Sequence, residues 1–253
     1  MPVFQDPLWL YIIVFLAGII AYIVSTLSGG GGSLLLVPVI GFLLGTKSAA
    51  PLINLGNLIG EPVRIVLFWK SIQWKIVKYY LPSAVIGAVL GAWIFSSLRM
   101  EWLQILVGLF LVSTIFQFRF GKKERSFKMK LAWFIPIGFF VEFFSTMIGA
   151  TGPVLNPFYL NYGLGKEPMI ATKTVNSFLI GLVQVSGYTA FGTLKGNLWF
   201  LGIALGLGAS VGNLLGKRFL KKLSGKAFRK WVIALMTLSG IIMIVRQLFN
   251  FNL

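Results

Sequence analysis

Apolar runs long enough to cross a bilayer recur along this chain and restrict what it can fold into. The first run, Leu8–Leu27, has the length of about 20 residues that a helix needs to cross the hydrocarbon core. Hydrophobic residues make up 57% of the sequence, against roughly 45–50% in soluble domains. The sequence therefore predicts an all-α polytopic membrane protein, because helices satisfy their own backbone hydrogen bonds in lipid.

Several function classes are poorly supported by the residue types present. The chain has no cysteine and no histidine, which removes disulfides, thiolate nucleophiles, the commonest general base and the commonest metal ligand. It also has no glycine motif followed by Lys and Ser or Thr, so ATP-driven pumping by this chain alone is not supported. We expect no catalytic residue, no metal and no cofactor.

The formal net charge of +17 has a membrane explanation. The basic residues lie between the apolar runs, where topology and anionic lipid headgroups account for them better than nucleic acid does. Residues 1–7 carry no basic segment before the first apolar run, so we expect no cleaved signal peptide.

A glycine-rich stretch occurs twice. Residues 25–33 read STLSGGGGS, and residues 145–153 read STMIGATGP. The two stretches align without a gap at an offset of 120 positions. Gly18 and Gly138 match at the same offset along the chain. We therefore divide the chain into a first membrane repeat (residues 1–118), a basic cytoplasmic linker (119–130) and a second membrane repeat (131–253).

Each repeat contains five apolar segments, of which the second is short and holds a proline, Pro38 or Pro157. The predicted fold thus has about eight full spanning helices and two short or broken helices. The fourth segments carry GAVLG (Gly87, Gly91) and GASVG (Gly208, Gly212), a spacing that allows close approach of helix backbones. The segments are 8–27, 33–44, 49–69, 79–95 and 102–118, then 131–148, 154–164, 170–191, 198–215 and 227–249.

Five crossings per repeat would insert the second copy upside down relative to the first. With the linker cytoplasmic, most of the 23 basic residues fall on the inner side, and Lys47, Arg99, Lys195 and Arg246 on the outer side. This distribution favours two inverted repeats with both termini outside. If the short segments were re-entrant instead, Lys166 would move outside.

Glycine-rich backbone within the membrane should face protein or a water-filled cavity, because its amides and carbonyls lack helical partners. The short helices after the two stretches would direct N–H groups and positive dipole ends at a small anion. Tight packing or a sharp turn is the alternative reading. The candidate substrate-binding residues here are Ser25, Thr26, Gly29, Gly30, Gly31, Gly32, Ser33, Ser145, Thr146, Gly149, Thr151 and Gly152.

Amides within the apolar segments should also point inward. The third segments hold Asn54 and Asn57 in the first repeat and Asn176 and Gln184 in the second, and Asn156 precedes Pro157. Asn54 and Asn176 occupy matched positions and are the better candidates for ligand contact. Stapling of neighbouring helices is the alternative for each amide.

Four ionisable groups fall within predicted helices. Glu61 and Arg64 are spaced to pair on one helix face, and Arg64 and Lys173 lie close enough to helix ends to reach the cytoplasm. Lys173 is also a substrate-binding candidate. Glu142 has no partner in its own helix, and we expect it to pair with Lys173 or Arg64 across helices or to carry a proton during transport.

These motifs together resemble the sulfite exporter TauE/SafE family of membrane permeases. The resemblance rests on STLSGGGGSLLLVP, on STMIGATGPVLNP, on the Ala and Asn pattern of 49–54 and 171–176, and on the glycine pairs. Ala150 and Thr151 replace glycines of the first copy, so the two halves need not bind equally.

The resemblance implies an inverted-repeat secondary transporter for small sulfur-containing anions such as sulfite or sulfonates. It implies a homodimer in the plasma membrane of a prokaryote. From the residues themselves we expect protons or another ion as coupling partner and no nucleic acid. A channel or permease for another small solute is the alternative, and a membrane-embedded subunit without transport activity is a further one.

Overall fold

The computed structural model describes residues 7–30, 32–95, 105, 109, 112–113, 115–116, 127–148 and 152–250. Most of the predicted segment 102–118 and of the basic linker lies outside these residues. The described residues form helices and the turns that connect them, with no strand among them. The all-helical prediction is confirmed for this part of the chain.

Nine α-helices are described, and three short 3₁₀ turns accompany them. The helices are α1 (Leu8–Leu27), α2 (Gly32–Leu44), α3 (Thr46–Phe68), α4 (Trp74–Phe95), α5 (Phe134–Ile148), α6 (Asn156–Tyr162), α7 (Lys166–Ala190), α8 (Leu198–Lys222) and α9 (Gly225–Asn250). The 3₁₀ turns are Trp69–Ser71, Leu131–Trp133 and Gly152–Leu155.

Some helices extend beyond the apolar segments that predicted them. Helix α4 begins at Trp74 instead of residue 79, and α8 continues to Lys222 instead of ending at residue 215. Both extensions are rich in lysine, which is a good helix former and whose long side chain reaches water from a helix end. Apolar pattern alone therefore underestimates these helices.

Three described helices have both the length and the apolarity to cross a membrane. They are α1 (Leu8–Leu27), the span Ser48–Ser71, which covers most of α3 and the 3₁₀ turn after it, and α8 (Leu198–Lys222). The apolar span Leu131–Thr146, which covers a 3₁₀ turn and most of α5, is shorter. These helices make the protein an integral membrane protein.

Helices α1, α3 and α8 run parallel to one another. A Cβ atom placed on Gly18 would lie 2.7 Å from the Leu205 carbonyl oxygen, and one on Gly212 would lie 2.5 Å from that of Ile19. Residue numbers on α3 and α8 also rise together, since Leu55 packs on Gly202 and Ile59 packs on Gly206. Because α1 and α3 share a direction, α2 returns the chain between them.

Helices α4, α5 and α7 form a second parallel set. On α4 and α5, Gly138 lies against the Tyr80 carbonyl and Gly91 against that of Phe143. Helix α7 begins beside the start of α4, where the Gln73 N–H donates to Thr172 Oγ1 at 2.9 Å. Its later turns reach the end of α5.

The two sets meet where α3 crosses α7 in the antiparallel direction. Asn54 near the start of α3 contacts Tyr188 near the end of α7, at 3.3 Å. Farther along α3, Glu61 faces Ser177. Each set also has its own apolar core: one is built from α1, α2, α3 and α8, and the other centres on α4, α5, α6 and α7.

The glycines of α4 and α8 allow the close backbone contacts predicted for them, but the two copies correspond differently from the sequence match. Gly91 lies against Thr146 in α5, and the matched residue Thr26 in α1 lies against Gly216. The structural counterpart of GAVLG is therefore GNLLG (residues 212–216), one turn after GASVG. The shared Gly-Ala of GASVG favoured the wrong register, which is set by the facing carbonyls.

Three basic loops of the described part of the chain gather at one end of the molecule. Lys166 Nζ donates to the carbonyls of Leu220 and Leu223 at 3.2 and 2.8 Å, and Ser71 Oγ lies 3.5 Å from a Glu167 carboxylate oxygen. The loops after α3, before α7 and after α8 therefore lie together. Lys195, in the turn before α8, lies at the opposite end.

Candidate functional site

The first glycine stretch forms a buried turn between α1 and α2. Gly29 and Gly30 have φ angles of 67° and 109°, in the left-handed region that glycine adopts without strain. The Gly30 N–H donates to the Ser25 carbonyl at 2.7 Å, and Ser28 Oγ lies 2.8 Å from the Gly30 carbonyl oxygen. Helix α2 then begins at Gly32, so a helix N-terminus follows the turn as predicted.

Lys173 of α7 reaches this turn from the second half of the chain. Its ammonium donates to the Gly29 carbonyl at 2.5 Å and to Asn156 Oδ1 at 2.7 Å. Asn156 Nδ2 in turn donates to the Ser28 carbonyl at 3.4 Å. The lysine side chain is buried within the protein, so it does not extend to the cytoplasm, which was one alternative from the sequence.

Asn176 lies one turn beyond Lys173 and makes a parallel contact with α6. Its Nδ2 donates to the Tyr159 hydroxyl at 3.0 Å. Its Oδ1 is buried and has no hydrogen-bond partner within the described part of the chain. Lys173 and Asn176 therefore bind the pair Asn156 and Tyr159 in register, and one amide oxygen remains available at this place.

Asn54 makes the corresponding approach from the first half. Its Nδ2 donates to the Tyr188 hydroxyl at 3.3 Å, and that hydroxyl donates to the Thr146 carbonyl at 3.2 Å. Gln184 Nε2 donates to Thr146 Oγ1 at 2.9 Å. Thr146 belongs to the second glycine stretch, so Asn54 of the first half reaches that stretch through Tyr188. Lys173 of the second half contacts the first stretch directly.

Glu142 is buried next to this network. Its carboxylate accepts a hydrogen bond from the Tyr80 hydroxyl of α4, and its backbone carbonyl accepts one from Thr146 Oγ1 at 2.8 Å. Within the described residues its partner is therefore a hydroxyl. The sequence had suggested Lys173 or Arg64.

Arg64 is buried in the α1, α3 and α8 set. Its Nε and Nη2 donate to Asn213 Oδ1 of α8 at 3.0 and 2.5 Å, and its guanidinium lies 5.7 Å from the centre of the Tyr22 ring. Thr26 Oγ1 also donates to Asn213 Oδ1, at 3.2 Å. Arg64 thus contacts Asn213 instead of forming the suggested pair with Glu61 or reaching the cytoplasm.

Glu61 and Asn57 complete the polar residues of α3. Asn57 Oδ1 accepts a hydrogen bond from the Tyr22 hydroxyl. The Glu61 carboxylate faces Ser177 of α7, and its Oε2 atom is buried with no hydrogen-bond partner among the described residues. These two side chains point in different directions, toward α1 and toward α7.

The remaining candidates are only partly placed. Ser25 is buried and Ser145 is half-buried. Gly32 packs closely against the Ala21 carbonyl, and Gly152 begins a 3₁₀ turn. Gly31, Gly149 and Thr151 lie outside the described residues, as does the side chain of Ser33. Within the described stretches, no cluster of three or more Asp and Glu could hold a metal.

The profile of the sulfite exporter TauE/SafE family matches residues 14–243, which is nearly the whole chain of 253 residues. The chain belongs to the sulfite exporter TauE/SafE family. It is accordingly a transmembrane transport protein, and its family consists of transporters of sulfur-containing anions, not of enzymes. No curated protein and no solved structure matches the chain.

Two kinds of polar residue in this TauE/SafE protein escaped the sequence analysis. Asn213 is fully buried and binds Arg64, and it carries the same signal as Asn54, an amide inside an apolar segment. The tyrosines Tyr80, Tyr159 and Tyr188 each contribute a buried hydroxyl to a candidate residue. Sequence gives no such signal for them, because tyrosine is equally common at membrane interfaces.

Proposed function

We propose that this protein is a secondary transporter of a small anion, a sulfur-containing oxyanion or organosulfonate such as sulfite. The observation that carries the proposal is the Lys173 ammonium, which lies where the first glycine turn meets Asn156 of the second half. A buried ammonium at the junction of two halves is suited to an anion that must be exposed first to one side and then to the other.

The surroundings of Lys173 favour anion recognition. Its described partners are the Gly29 carbonyl and the Asn156 amide oxygen, both neutral groups. An anionic oxygen in place of either would add the attraction between opposite charges to the hydrogen bond from the ammonium. The N-terminus of α2, directly after the glycine turn, would add a positive dipole end.

The helix directions support alternating access between two inverted repeats. Each parallel set combines helices of both repeats, and the two sets run in opposite directions at the α3–α7 crossing. Lys166 lies at the same end as the loop after α3, as expected if the short segments cross and not if they are re-entrant. We infer ten segments, with the two repeats related by a pseudo-twofold axis in the membrane plane.

The orientation follows from the positive-inside rule. The end that carries most of the basic loops would face the cytoplasm, and the start of α1 would lie outside together with the C-terminus. We place the protein in the plasma membrane and propose a homodimer, on the resemblance described from the sequence.

Counterflow in proteoliposomes tests the proposal. Vesicles loaded with sulfite should take up labelled sulfite faster than empty vesicles, since a carrier shows exchange acceleration and a channel does not. Lys173→Met should reduce exchange about tenfold or more, because a hydrogen bond to a charged group contributes about 1.5–3 kcal/mol. A thermal-shift screen of sulfite, sulfate, thiosulfate, sulfonates and carboxylates would identify the preferred anion.

Lys166→Met is the matched control. Lys166 is on the same helix and also donates to backbone carbonyls, but it does so at the helix end. It should keep near wild-type exchange. Equal exchange in both variants would remove Lys173 from the site, and equal rates in loaded and empty vesicles would favour a channel.

A further inference from the structure

Glu61 is a buried carboxylate at the α3–α7 crossing. We propose that Glu61 is the site that binds a coupling proton, so that one proton accompanies each singly charged anion across the membrane. The inference rests on the proposed transport function and deepens it by assigning the coupling ion and the residue that holds it.

The nearest cation on the same helix is engaged elsewhere. Arg64 lies three residues after Glu61, yet its Nε and Nη2 atoms both donate to Asn213 Oδ1, and its guanidinium lies over the Tyr22 ring. The Asn213 amide is itself fixed, because its Nδ2 donates to the Gly60 carbonyl at 2.9 Å. Arg64 therefore contributes to the charge around Glu61 without donating a hydrogen bond to it.

The Glu61 carboxyl has one hydrogen-bond donor, the Ser177 hydroxyl, and its second oxygen, Oε2, has none among the described residues. The residue is 4% exposed. An ionised oxygen buried without a partner is unfavourable by several kcal/mol in an apolar environment. A proton on this carboxyl removes the charge and adds an O–H donor.

The charges that surround Glu61 connect its proton to the anion. Arg64 on α3, Lys173 on α7 and Glu142 on α5 all lie within electrostatic range of Glu61, and the Tyr22 hydroxyl on α1 lies nearby. Two cations balance two carboxylates in this group. A proton on Glu61 leaves one net positive charge, which a singly charged anion at Lys173 then neutralises.

Proton and anion binding should therefore be mutually reinforcing, because linkage makes their coupling reciprocal. The position of Glu61 allows this coupling to act on transport. Ser177, which faces Glu61, is the residue after Asn176 and lies one turn from Lys173 on α7. Glu61 on α3 and Lys173 on α7 thus lie on opposite sides of the crossing between the two helix sets.

The test compares Glu61→Gln with the control Glu167→Gln and wild type in proteoliposomes, with three readouts. Counterflow at equal pH on both sides measures anion exchange alone. Accumulation under an inward tenfold proton gradient measures coupling, and should approach tenfold in the wild type at one-to-one stoichiometry. A dye inside the vesicles reports whether protons enter when anion is added.

We expect Glu61→Gln to retain exchange but to lose both gradient-driven accumulation and the acidification. Glu167→Gln removes a carboxylate at the start of α7, where it contacts Ser71 Oγ, and should retain all three. The proposal is overturned if Glu61→Gln still accumulates anion under the proton gradient. It is also overturned if the wild type accumulates anion under a sodium gradient and not under a proton gradient. If the wild type exchanged none of the anions tested, the proposed transport function itself would be overturned.

Should Glu61→Gln lose exchange, Glu61→Asp provides the second variant. It retains a titratable carboxyl at the crossing and should accumulate anion with a shifted pH dependence. An Asp variant that exchanges anion without any response to the proton gradient contradicts the assignment.

Discussion

At the residue scale, the buried amides of Asn54 and Asn176 each hydrogen-bond a tyrosine hydroxyl. The effect of removing each amide distinguishes ligand binding from helix stapling. Interhelical hydrogen bonds in membranes contribute on average only about 0.6 kcal/mol. Loss of the Asn176–Tyr159 contact or of the Asn54–Tyr188 contact should therefore leave the fold intact. A larger effect on transport than on stability would place these amides at the substrate.

Asn54→Ala and Asn176→Ala should each reduce anion uptake several-fold, with thermal unfolding in detergent close to wild type. Thr189→Ala is the control, since the Thr189 hydroxyl donates to the Val185 carbonyl of its own helix at 2.8 Å. Normal uptake in both asparagine variants would remove them from the site.

Tyr159→Phe separates the two functional groups of Asn176. The variant removes the hydroxyl that accepts from Nδ2 and leaves the buried Oδ1 in place. If Oδ1 binds the substrate, this variant should bind anion within about fivefold of wild type, because one neutral hydrogen bond is worth about 1 kcal/mol or less. Isothermal titration with sulfite measures it, and a defect as large as that of Asn176→Ala would indicate that the tyrosine contact is what matters.

Residue type alone correctly predicted that the candidate amides are buried. Asn54, Asn156 and Asn176 stand out as amides in apolar sequence, and all three are buried. Their partners did not stand out, because which hydroxyl faces which amide depends on helix rotation and crossing. The same reason explains why Arg64 contacts Asn213 and not Glu61, although Glu61 has the better spacing in sequence.

At the element scale, contact between helix backbones decides which glycines are required. A Cβ on Gly87 would collide with the Phe139 carbonyl, whereas one on Gly181 would have Leu58 at 3.7 Å as its nearest neighbour. Both glycines lie inside helices. They therefore form a matched pair that differs in packing alone.

Gly87→Ala should destabilise the protein by about 1–3 kcal/mol, since overpacking forces the α4 and α5 backbones apart. Gly181→Ala should be neutral or stabilise by up to about 1 kcal/mol through helix propensity. Thermal unfolding of the two purified variants measures the difference. Equal stability would show that α4 and α5 do not approach closely.

Segment existence was well predicted from sequence, and segment correspondence less so. The bounds of α1 match the predicted segment, because apolar length and the glycine turn both define it. The predicted counterpart of GAVLG was one helical turn away from the observed one. The Gly-Ala dipeptide shared by GAVLG and GASVG carries no information about which carbonyl a helix faces.

At the scale of the whole molecule, the arrangement of the loops can be tested because the chain has no cysteine. Single variants Lys70→Cys, Lys166→Cys and Lys222→Cys should react with an impermeant maleimide only after the cells are permeabilised. Lys195→Cys should react in intact cells. Labelling of Lys166→Cys from the same side as Lys195→Cys would contradict the crossing of the short segments.

The pairing of helices between repeats had no signature in the sequence. Periodicity and apolarity are local, whereas the contacts of α1 with α8 and of α4 with α5 join distant segments. The division at residues 118 and 131 thus describes two copies of a sequence, and the packing does not follow it.

The two apolar cores have a consequence for how the chain is made. Helix α1 packs chiefly on α8, which is among the last segments to leave the ribosome, so neither core is complete while only the first repeat has been synthesised. An isolated repeat would leave its glycine-lined faces open to lipid or to a chaperone. The two repeats must interlock before either becomes rigid, which makes late assembly, not early domain folding, the expected route to the native membrane protein.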